Sequence, residues 1–374
     1  MNYKIIILLC FPVFIFSCSR DNGPEDAPLS LRTVLVYMAA DNNLYKNAKT
    51  DIEEMMMSEI PANSHLLVYW DVPEWSDNTC PQLFEIQQGK MIPIKQYESH
   101  NSATGEVLQS VINDAITLFP AETYGLILWS HGTGWLPEGI FDVLKQSVVS
   151  RSFGKDGSSE MSITELAESL PVKFEYIIFD ACLMGGIEVF YQLRNKADVI
   201  IASPAETLVA GFPYDKIIPF LFASSPNYAE IAQAYMDYYK NKTGNLQSAT
   251  IAVIDTKQLE PFANIIREAL DNNITVIPPN RKSVQKYEMQ EQIVFYDLQD
   301  YLAQAIRDED CIAALKQQIA RMVIYRDFTP YFLDELTIER SCGISVYVSI
   351  SNDDLNNEYE LLDWYIDSKL LCSW

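Results

Sequence analysis

Basic residues are scarce in this chain. It carries 27 Lys and Arg against 51 Asp and Glu, which gives a formal net charge of −24 at neutral pH. This excess of negative charge argues against nucleic acid or an anionic membrane face as the main partner, because both would repel it. It indicates an acidic, water-exposed surface with a bias toward cationic substrates.

Histidine and long apolar runs are also rare. The chain has 3 His, and its longest apolar run, Ile5 to Phe16, is too short to span a bilayer comfortably. The spacing of the 7 Cys matches no zinc site, and there is no internal repeat. Because 48% of the residues are hydrophobic, the sequence still predicts a large globular core.

Apart from Cys10, Cys18 and Cys182, the chain has four cysteines that could form disulfides or stay unpaired, namely Cys80, Cys311, Cys342 and Cys372.

The amino terminus has the anatomy of an export signal. Lys4 precedes the apolar run, and Ser17-Cys18 follows it, before a polar stretch with Pro24. This arrangement resembles a bacterial lipoprotein signal, in which Cys18 becomes the lipidated first residue. We therefore expect a signal peptide over residues 1–17, a tether over 18–31, and an exported protein anchored by lipid to the cell envelope, at the outer membrane. Cleavage without lipidation and an uncleaved anchor are the alternatives.

The sequence around Cys182 predicts a buried strand that ends at a cysteine. Tyr176 to Phe179 is an uninterrupted apolar run, typical of a strand buried on both faces of a parallel sheet. Asp180-Ala-Cys182 follows it, and Gly185-Gly186 then opens a helix. Ligands and chemistry concentrate at this edge of open α/β sheets, and a helix amino terminus lowers a thiol's pKa. An inert, buried cysteine is the alternative interpretation.

A histidine follows the carboxyl end of a second predicted strand, as Cys182 follows the first. Tyr124 to Trp129 is another buried-strand run, and it ends in Ser130-His131-Gly132-Thr-Gly-Trp135. If the two strands are neighbours, His131 and Cys182 face each other across one edge of the sheet. A cysteine beside a histidine is the arrangement of a thiol nucleophile with its acid/base.

These two motifs resemble those of the clostripain-type cysteine peptidases, family C11. Val34 to Leu44, which contains an Asp-Asn loop, and the segments near Tyr296 and Cys342 are similar as well, so the resemblance spans about residues 32 to 374. It implies a caspase-like fold. The alternation of strand and helix patterns independently predicts an α/β architecture, a mostly parallel sheet flanked by helices. We expect the peptidase core over residues 32–274 and a mainly helical C-terminal extension over 275–374, packed on the core.

The resemblance also implies roles for individual residues. Cys182 would be the nucleophile and His131 the acid/base, working as a dyad, with the backbone N–H groups of Gly132 and Cys182 as oxyanion donors. The absence of a Cβ at Gly132 would let the substrate carbonyl approach closely. Relatives favour cleavage after Arg or Lys, so Asp180 and Glu206 are the predicted substrate-binding acids.

Three further expectations concern regulation and partners. Relatives can be activated by cleavage between the histidine and the cysteine, which makes Lys145, Arg151 and Lys155 candidate sites. Some relatives respond to calcium, but the acids here show no calcium-loop spacing, so we expect no required cofactor and no metal site. The expected partners are a peptide or protein substrate and, through the lipid, a membrane. We expect no nucleic acid, and a monomer.

Two other classes of protein compete with the peptidase. The first is a catalytically silent surface lipoprotein that binds a peptide or another envelope component. The second is a glycan-binding protein that stacks sugars on its tryptophans, although several of these adjoin strands and are more simply core or pocket wall. The presence of both His131 and Cys182 favours the peptidase.

Overall fold

The structure is a computed structural model of the 374-residue chain. It describes residues 29–73, 80–137, 153–157, 159–223, 226–289, 294–350 and 352–374. The predicted signal peptide, Cys18 and most of the tether lie outside the described residues.

The described chain alternates strands and helices along most of its length. Its strands are β1 (Ser30–Ala39), β2 (Ser64–Asp71), β3 (Gln82–Gln87), β4 (Lys90–Gln96), β5 (Ala121–Trp129), β6 (Phe153–Asp156), β7 (Ser159–Met161), β8 (Phe174–Asp180), β9 (Ala197–Ala202), β10 (Thr250–Asp255), β11 (Phe295–Asp297), β12 (Val323–Phe328), β13 (Tyr331–Phe332), β14 (Leu336–Thr337), β15 (Ser345–Ser349) and β16 (Cys372–Ser373). Its α-helices are α1 (Tyr45–Met55), α2 (Gly105–Leu118), α3 (Ile163–Ser169), α4 (Ile187–Gln192), α5 (Tyr214–Leu221), α6 (Tyr228–Lys240), α7 (Leu259–Asp271), α8 (Leu298–Ala305), α9 (Glu309–Met322), α10 (Asp353–Tyr359) and α11 (Asp363–Ser368).

Within the described residues the largest sheet has nine strands, in the order β12-β10-β9-β8-β5-β1-β2-β3-β4. Its five central strands, β9, β8, β5, β1 and β2, pair in parallel. This confirms the predicted α/β architecture. The sheet is mostly and not wholly parallel, because β10 runs antiparallel to β9 and β12 runs antiparallel to β10. The apolar run of a buried strand carries no information about its direction, so the sequence could not reveal this reversal.

Side chains of the central strands alternate between two apolar layers. On β8, Ile177 and Phe179 face the layer formed with α2, α3, α4 and α7, whereas Tyr176 and Ile178 face the layer formed with α1, α5 and α6. All four side chains are at most 1% exposed. Burying each one contributes roughly 1.5–3 kcal/mol as an upper estimate, which explains why this strand lies in the middle of the sheet.

The residues after 275 are continuous with the core. β12 forms an edge of the large sheet, and β15 lies between β11 and β16 in a separate three-stranded sheet. The N–H of Ser345, the first residue of β15, donates to the Gly185 carbonyl at 2.9 Å. The late segment therefore contacts the loop that follows Cys182. Among the described helices, none is long and apolar enough to cross a membrane.

Candidate active site

Neighbouring strands bring His131 and Cys182 to the same edge of the sheet. β5 and β8 pair in parallel with Trp129 opposite Asp180, and the Ser130 N–H donates to the Asp180 carbonyl at 3.3 Å. His131 and Cys182 therefore follow their strands at matching positions. The two strands are therefore neighbours, which was the condition for His131 and Cys182 to lie at one edge of the sheet.

The histidine loop is held by backbone and hydroxyl contacts. Ser130 Oγ donates to the Ala39 carbonyl at 2.7 Å and accepts from the Lys155 N–H at 3.1 Å. The His131 carbonyl accepts from the Gly154 N–H, also at 3.1 Å. The loop after β5 is thus fixed between the end of β1 and the strand β6.

The imidazole of His131 is oriented by a residue that sequence reasoning missed. Its Nε2 lies 2.9 Å from Asn43 Oδ1. An amide oxygen only accepts hydrogen bonds, so Nε2 carries the proton and Nδ1 keeps a free lone pair. Burial, together with the nearby Lys155 ammonium, lowers the pKa of His131 to about 4. The ring is therefore neutral at physiological pH.

Asn43 is held in place by its neighbour Asn42. Asn42 Nδ2 donates to the Ala39 and Lys155 carbonyls at 2.9 and 2.8 Å, and its Oδ1 accepts from the Leu44 N–H. This local turn is a common use of asparagine. The sequence signal for Asn43 is the Asp-Asn-Asn loop after the end of the first strand, and this signal does not show which of its residues reaches His131.

The backbone turns sharply after Cys182. Leu183 has φ +61°, a left-handed conformation that costs a β-carbon residue roughly 1–2 kcal/mol. The surrounding contacts hold it there, since its N–H donates to the Ala205 carbonyl and the Gly185 N–H donates to the Ser203 carbonyl. The loop after β9 thus supports the turn that presents the thiol.

The thiol of Cys182 is hydrogen-bonded to Thr207, and no hydrogen bond joins it to His131. Its Sγ accepts from the Thr207 N–H at 3.3 Å and lies 3.6 Å from the Thr207 carbonyl. Burial raises the pKa of Cys182 to about 12, with smaller contributions from the Glu206 and Asp180 carboxylates. The expectation that a helix amino terminus lowers this pKa was wrong, because α4 begins five residues later and has only six residues.

Gly132 packs against the loop that contains Cys182. A Cβ at this position would lie 2.7 Å from the Cys182 carbonyl and 3.0 Å from Met184 Sδ. Glycine is therefore required by the protein's own backbone, which is a different reason from the substrate approach expected from the sequence. Among the described residues, neither the Gly132 N–H nor the Cys182 N–H has a hydrogen-bond acceptor.

Asp180 lies at the end of β8, facing the layer of α1, α5 and α6. The residue is 5% exposed, and its Oδ2 accepts from the Phe212 N–H at 3.1 Å and from the Tyr214 hydroxyl at 3.0 Å. Burial raises the pKa of the carboxyl, and these two hydrogen bonds oppose the rise. Through these hydrogen bonds, Asp180 connects the end of β8 to the segment that follows β9.

Glu206 belongs to that same loop and is half-buried. Burial, with the neighbouring Glu335 carboxylate, raises its pKa. In the part of the chain that the structure describes, neither Glu206 nor Asp180 forms an ion pair with a cation. Both carboxylates act electrostatically on the Cys182 thiol.

Leu208, in the same loop, makes an apolar contact with the C-terminal part of the chain. Leu208 packs against a small apolar cluster formed by Phe332, Leu336 and Ile338, in and beside the hairpin β13–β14. The hairpin therefore supports the loop that carries Glu206.

The remaining predicted positions are divided between described and undescribed residues. Lys145 and Arg151 lie outside the described residues, whereas Lys155 lies in β6 with its N–H and carbonyl hydrogen-bonded. No group of three or more potential metal ligands occurs among the described residues. Four of the described cysteines are free thiols, namely Cys182, Cys311, Cys342 and Cys372.

Comparisons with known proteins agree with this arrangement. The sequence model of the clostripain family, peptidase C11, matches residues 36–362. The chain is 30% identical over 217 residues to clostripain from Hathewaya histolytica, a match that covers 50% of this chain and 41% of the relative. It therefore spans about two fifths of the length of that curated relative.

Two solved structures are similar over almost their entire length. A secreted C11 cysteine protease from Bacteroides thetaiotaomicron, bound to an irreversible peptide inhibitor, has a TM-score of 0.79 and 28% identity, with 91% of this chain and 99% of that chain covered. An inactive zymogen C11 protease from Parabacteroides distasonis has a TM-score of 0.77 and 31% identity at the same coverage. The sheet order, the paired strand ends and these matches together establish that this chain belongs to the clostripain family of cysteine peptidases.

Proposed function

We propose that the protein is an endopeptidase that cleaves peptide bonds after Arg or Lys through a Cys182–His131 dyad. The observation that carries the proposal is the pair of carboxylates beside the candidate nucleophile. Asp180 and Glu206 both raise the Cys182 pKa by their charge, and neither is neutralised by a described cation. A cationic side chain bound beside Cys182 would be attracted by both carboxylates.

The chemistry follows from the two neutral groups. Cys182 Sγ attacks the scissile carbonyl carbon while its proton passes to His131 Nδ1, whose lone pair is left free by Asn43. His131 then gives this proton to the leaving amine as the C–N bond breaks, which leaves a thioacyl-enzyme. Water attacks the thioester carbon, giving a proton to His131, and the C–S bond breaks to release the carboxylic acid and restore the thiol.

Charge develops on the carbonyl oxygen during both steps. The Gly132 and Cys182 N–H groups, which have no acceptor among the described residues, are the proposed donors to this oxyanion. Preorganised donors of this kind are typically worth about 10²–10³ in kcat each.

The proposal also covers cellular location and assembly. The residues around Cys18 suit export with lipid anchoring at the outer membrane, and the relative from B. thetaiotaomicron is a secreted protein. We propose that the mature enzyme works as a monomer on the outer membrane, without a required metal. Labelling with radioactive palmitate, with a Cys18→Ser control, tests the lipid directly.

The deciding assay uses the chain from residue 19 onward, purified under reducing conditions with and without calcium. Fluorogenic peptides carry Arg, Lys, Asp, Asn or Leu before the scissile bond, and Cys182→Ala is the control. We expect turnover of the Arg and Lys peptides alone, lost in the control. Glu206→Gln should raise KM for these peptides, because it removes a negative charge from the pocket.

Other outcomes would overturn particular parts of the proposal. Turnover after Asp, Asn or Leu would keep the dyad but reject the basic pocket. If no peptide is cleaved and no peptidyl inhibitor labels Cys182, the catalytically silent, peptide-binding lipoprotein becomes the better description.

A further inference from the structure

A groove in the late part of the chain has a charge opposite to that of the protein as a whole. It has a volume of about 510 Å³ and is lined by residues between Arg281 and Lys286, by Tyr296 and by residues between Thr337 and Arg340. A second cavity of about 450 Å³ shares Arg340 with it. The two cavities therefore adjoin and form one feature, which we call the basic groove.

The lining of the basic groove reverses the charge balance of the chain. It contains six basic residues, namely Arg281, Lys282, Lys286, Lys316, Arg326 and Arg340, against three acids, namely Asp297, Asp300 and Glu339. In the full sequence, acids outnumber bases by 51 to 27. Random placement of side chains on so acidic a surface would not be expected to produce a two-to-one excess of cations.

The three acids do not neutralise most of these cations. Asp300 pairs with Arg340 at 2.9 Å, and Glu339 pairs with the same guanidinium at 3.3 Å. Asp297 accepts from the backbone N–H groups of Asp300 and Cys342 and from the Tyr287 hydroxyl. Within the described residues, four basic side chains of the groove form no ion pair, namely Lys282, Lys286, Lys316 and Arg326.

The basic groove begins beside the support of the candidate substrate pocket. Thr337 is the last residue of the hairpin strand β14 and also lines the groove. The preceding residue, Leu336, belongs to the apolar cluster on which Leu208 packs. The acidic loop of Glu206 and the basic groove are thus built on the same hairpin.

We propose that the basic groove binds an acidic stretch of a polypeptide. Several cations distributed over two adjoining cavities suit a series of carboxylates along an extended chain better than they suit one small anion. Charge complementarity of this kind gives specificity and speeds association. The inference rests on the proposed function in one respect, that the acidic stretch belongs to the substrate. The preferred substrate would then combine a basic residue at the cleavage point with a separate acidic cluster.

The test measures binding without catalysis, so that it stands apart from the peptidase assay. Fluorescein-labelled hexaglutamate is titrated with the Cys182→Ala protein, and anisotropy is followed at low and at high NaCl. We expect saturable binding that weakens as salt screens the charges. Adding Lys282→Glu and Lys286→Glu to this protein should weaken binding by about tenfold or more, because each of the two sites changes by two charges.

A matched control changes the same total charge elsewhere. Lys90→Glu with Arg307→Glu alters two exposed basic residues outside the groove and should leave the affinity within about twofold, a change within the scatter of exposed charge pairs. Equal weakening by both double variants, or no saturable binding to the Cys182→Ala protein, would overturn the proposal. Tighter binding of polygalacturonate, an acidic glycan, would reject the polypeptide as the occupant. If the Cys182→Ala protein binds hexaglutamate but the protein that keeps Cys182 cleaves no peptide, the inference about the basic groove stands and the proposed function is rejected.

Discussion

His131 Nε2 donates a hydrogen bond to Asn43 Oδ1 at 2.9 Å, which fixes the tautomer of the imidazole and leaves Nδ1 free to accept a proton. Asn43 forms no hydrogen bond with the thiol or with the imidazole nitrogen that would receive its proton, so we assign it a positioning role. Its contribution is the orientation of a ring that has no hydrogen bond to Cys182 in this structure.

The first prediction concerns this positioning role. Asn43→Ala should lower kcat on the order of 10²-fold with little change in KM, because a misplaced catalytic group loses its alignment in the transition state. Asn43→Asp should recover part of the rate, since a carboxylate also accepts from Nε2. Steady-state kinetics on an Arg peptide measure both, and Asn47→Ala, a substitution in α1, is the control. A change in KM alone would place Asn43 in substrate binding.

The second prediction concerns the resting thiol. With the pKa of Cys182 raised to about 12 and that of His131 lowered to about 4, the pair is neutral at physiological pH. Iodoacetamide should therefore alkylate Cys182 at least about tenfold more slowly than a free cysteine peptide, since only the thiolate reacts. The rate should still be rising at about pH 9, above the usual pKa of a free thiol.

Mass spectrometry of the peptide that contains Cys182 measures this rate separately from the other four described thiols. Fast alkylation with a midpoint well below the usual thiol pKa would show instead that the thiolate and imidazolium form before substrate binds.

The third prediction concerns the close contact at Gly132. Gly132→Ala places a methyl group 2.7 Å from the Cys182 carbonyl, which belongs to the backbone and cannot turn away. We expect a loss of about 10²-fold or more in kcat, through displacement of the oxyanion donors. The free energy of unfolding should fall by about 1–3 kcal/mol.

Gly89→Ala is the matched control for this substitution. Gly89 has a positive φ, but a Cβ there meets nothing within 4 Å. It should lose some stability through its backbone conformation while kcat stays unchanged. Equal kcat for both variants would mean that the Gly132 contact relaxes without moving the catalytic groups.

The fourth prediction concerns a buried acid behind the site. Asp51 is 2% exposed, its Oδ2 accepts from Trp129 Nε1 at 2.7 Å, and burial, with the charge of Asp180, raises its pKa. Its pKa is higher in the folded than in the unfolded chain, so the folded state binds the proton more tightly. Stability should therefore fall as pH rises through the range between the two pKa values.

Asp51→Asn removes this titration and keeps an amide oxygen for Trp129. The variant should gain Tm relative to the parent as the pH rises from about 5 to about 8, a range above the usual pKa of a free Asp. Differential scanning calorimetry on the Cys182→Ala background measures the difference without self-digestion. A difference in Tm that does not change with pH would show that Asp51 keeps the same charge in both states.

The positions of His131 and Cys182, the two candidate catalytic residues, could be predicted because each follows a continuous apolar run in the sequence. Parallel pairing then places the ends of β5 and β8 at one edge, so no long-range information was needed beyond the adjacency of the strands. Asn43 could not be singled out in the same way. It lies in a polar loop, and only the folded chain shows that this loop reaches His131 across 88 residues of sequence.

The pKa of the Cys182 thiol was harder to predict from the sequence than the position of the residue. The motif placed Cys182 before a helix, yet it could not show that the helix begins only at Ile187 or that the thiol lies against Thr207. Burial and two carboxylates therefore decide the thiol's pKa, and both depend on the path of the loop after β9. Likewise, the reversal of β10 depends on connections that the apolar pattern does not record.

The hydrogen bond from the Ser345 N–H to the Gly185 carbonyl has a consequence for biosynthesis. The loop that presents Cys182 is held partly by a strand made 160 residues later. While the ribosome is still translating the intervening segment, this loop lacks one of its supports and Ser345 does not yet exist. The order of synthesis thus delays completion of the Cys182 loop until most of the polypeptide has been made.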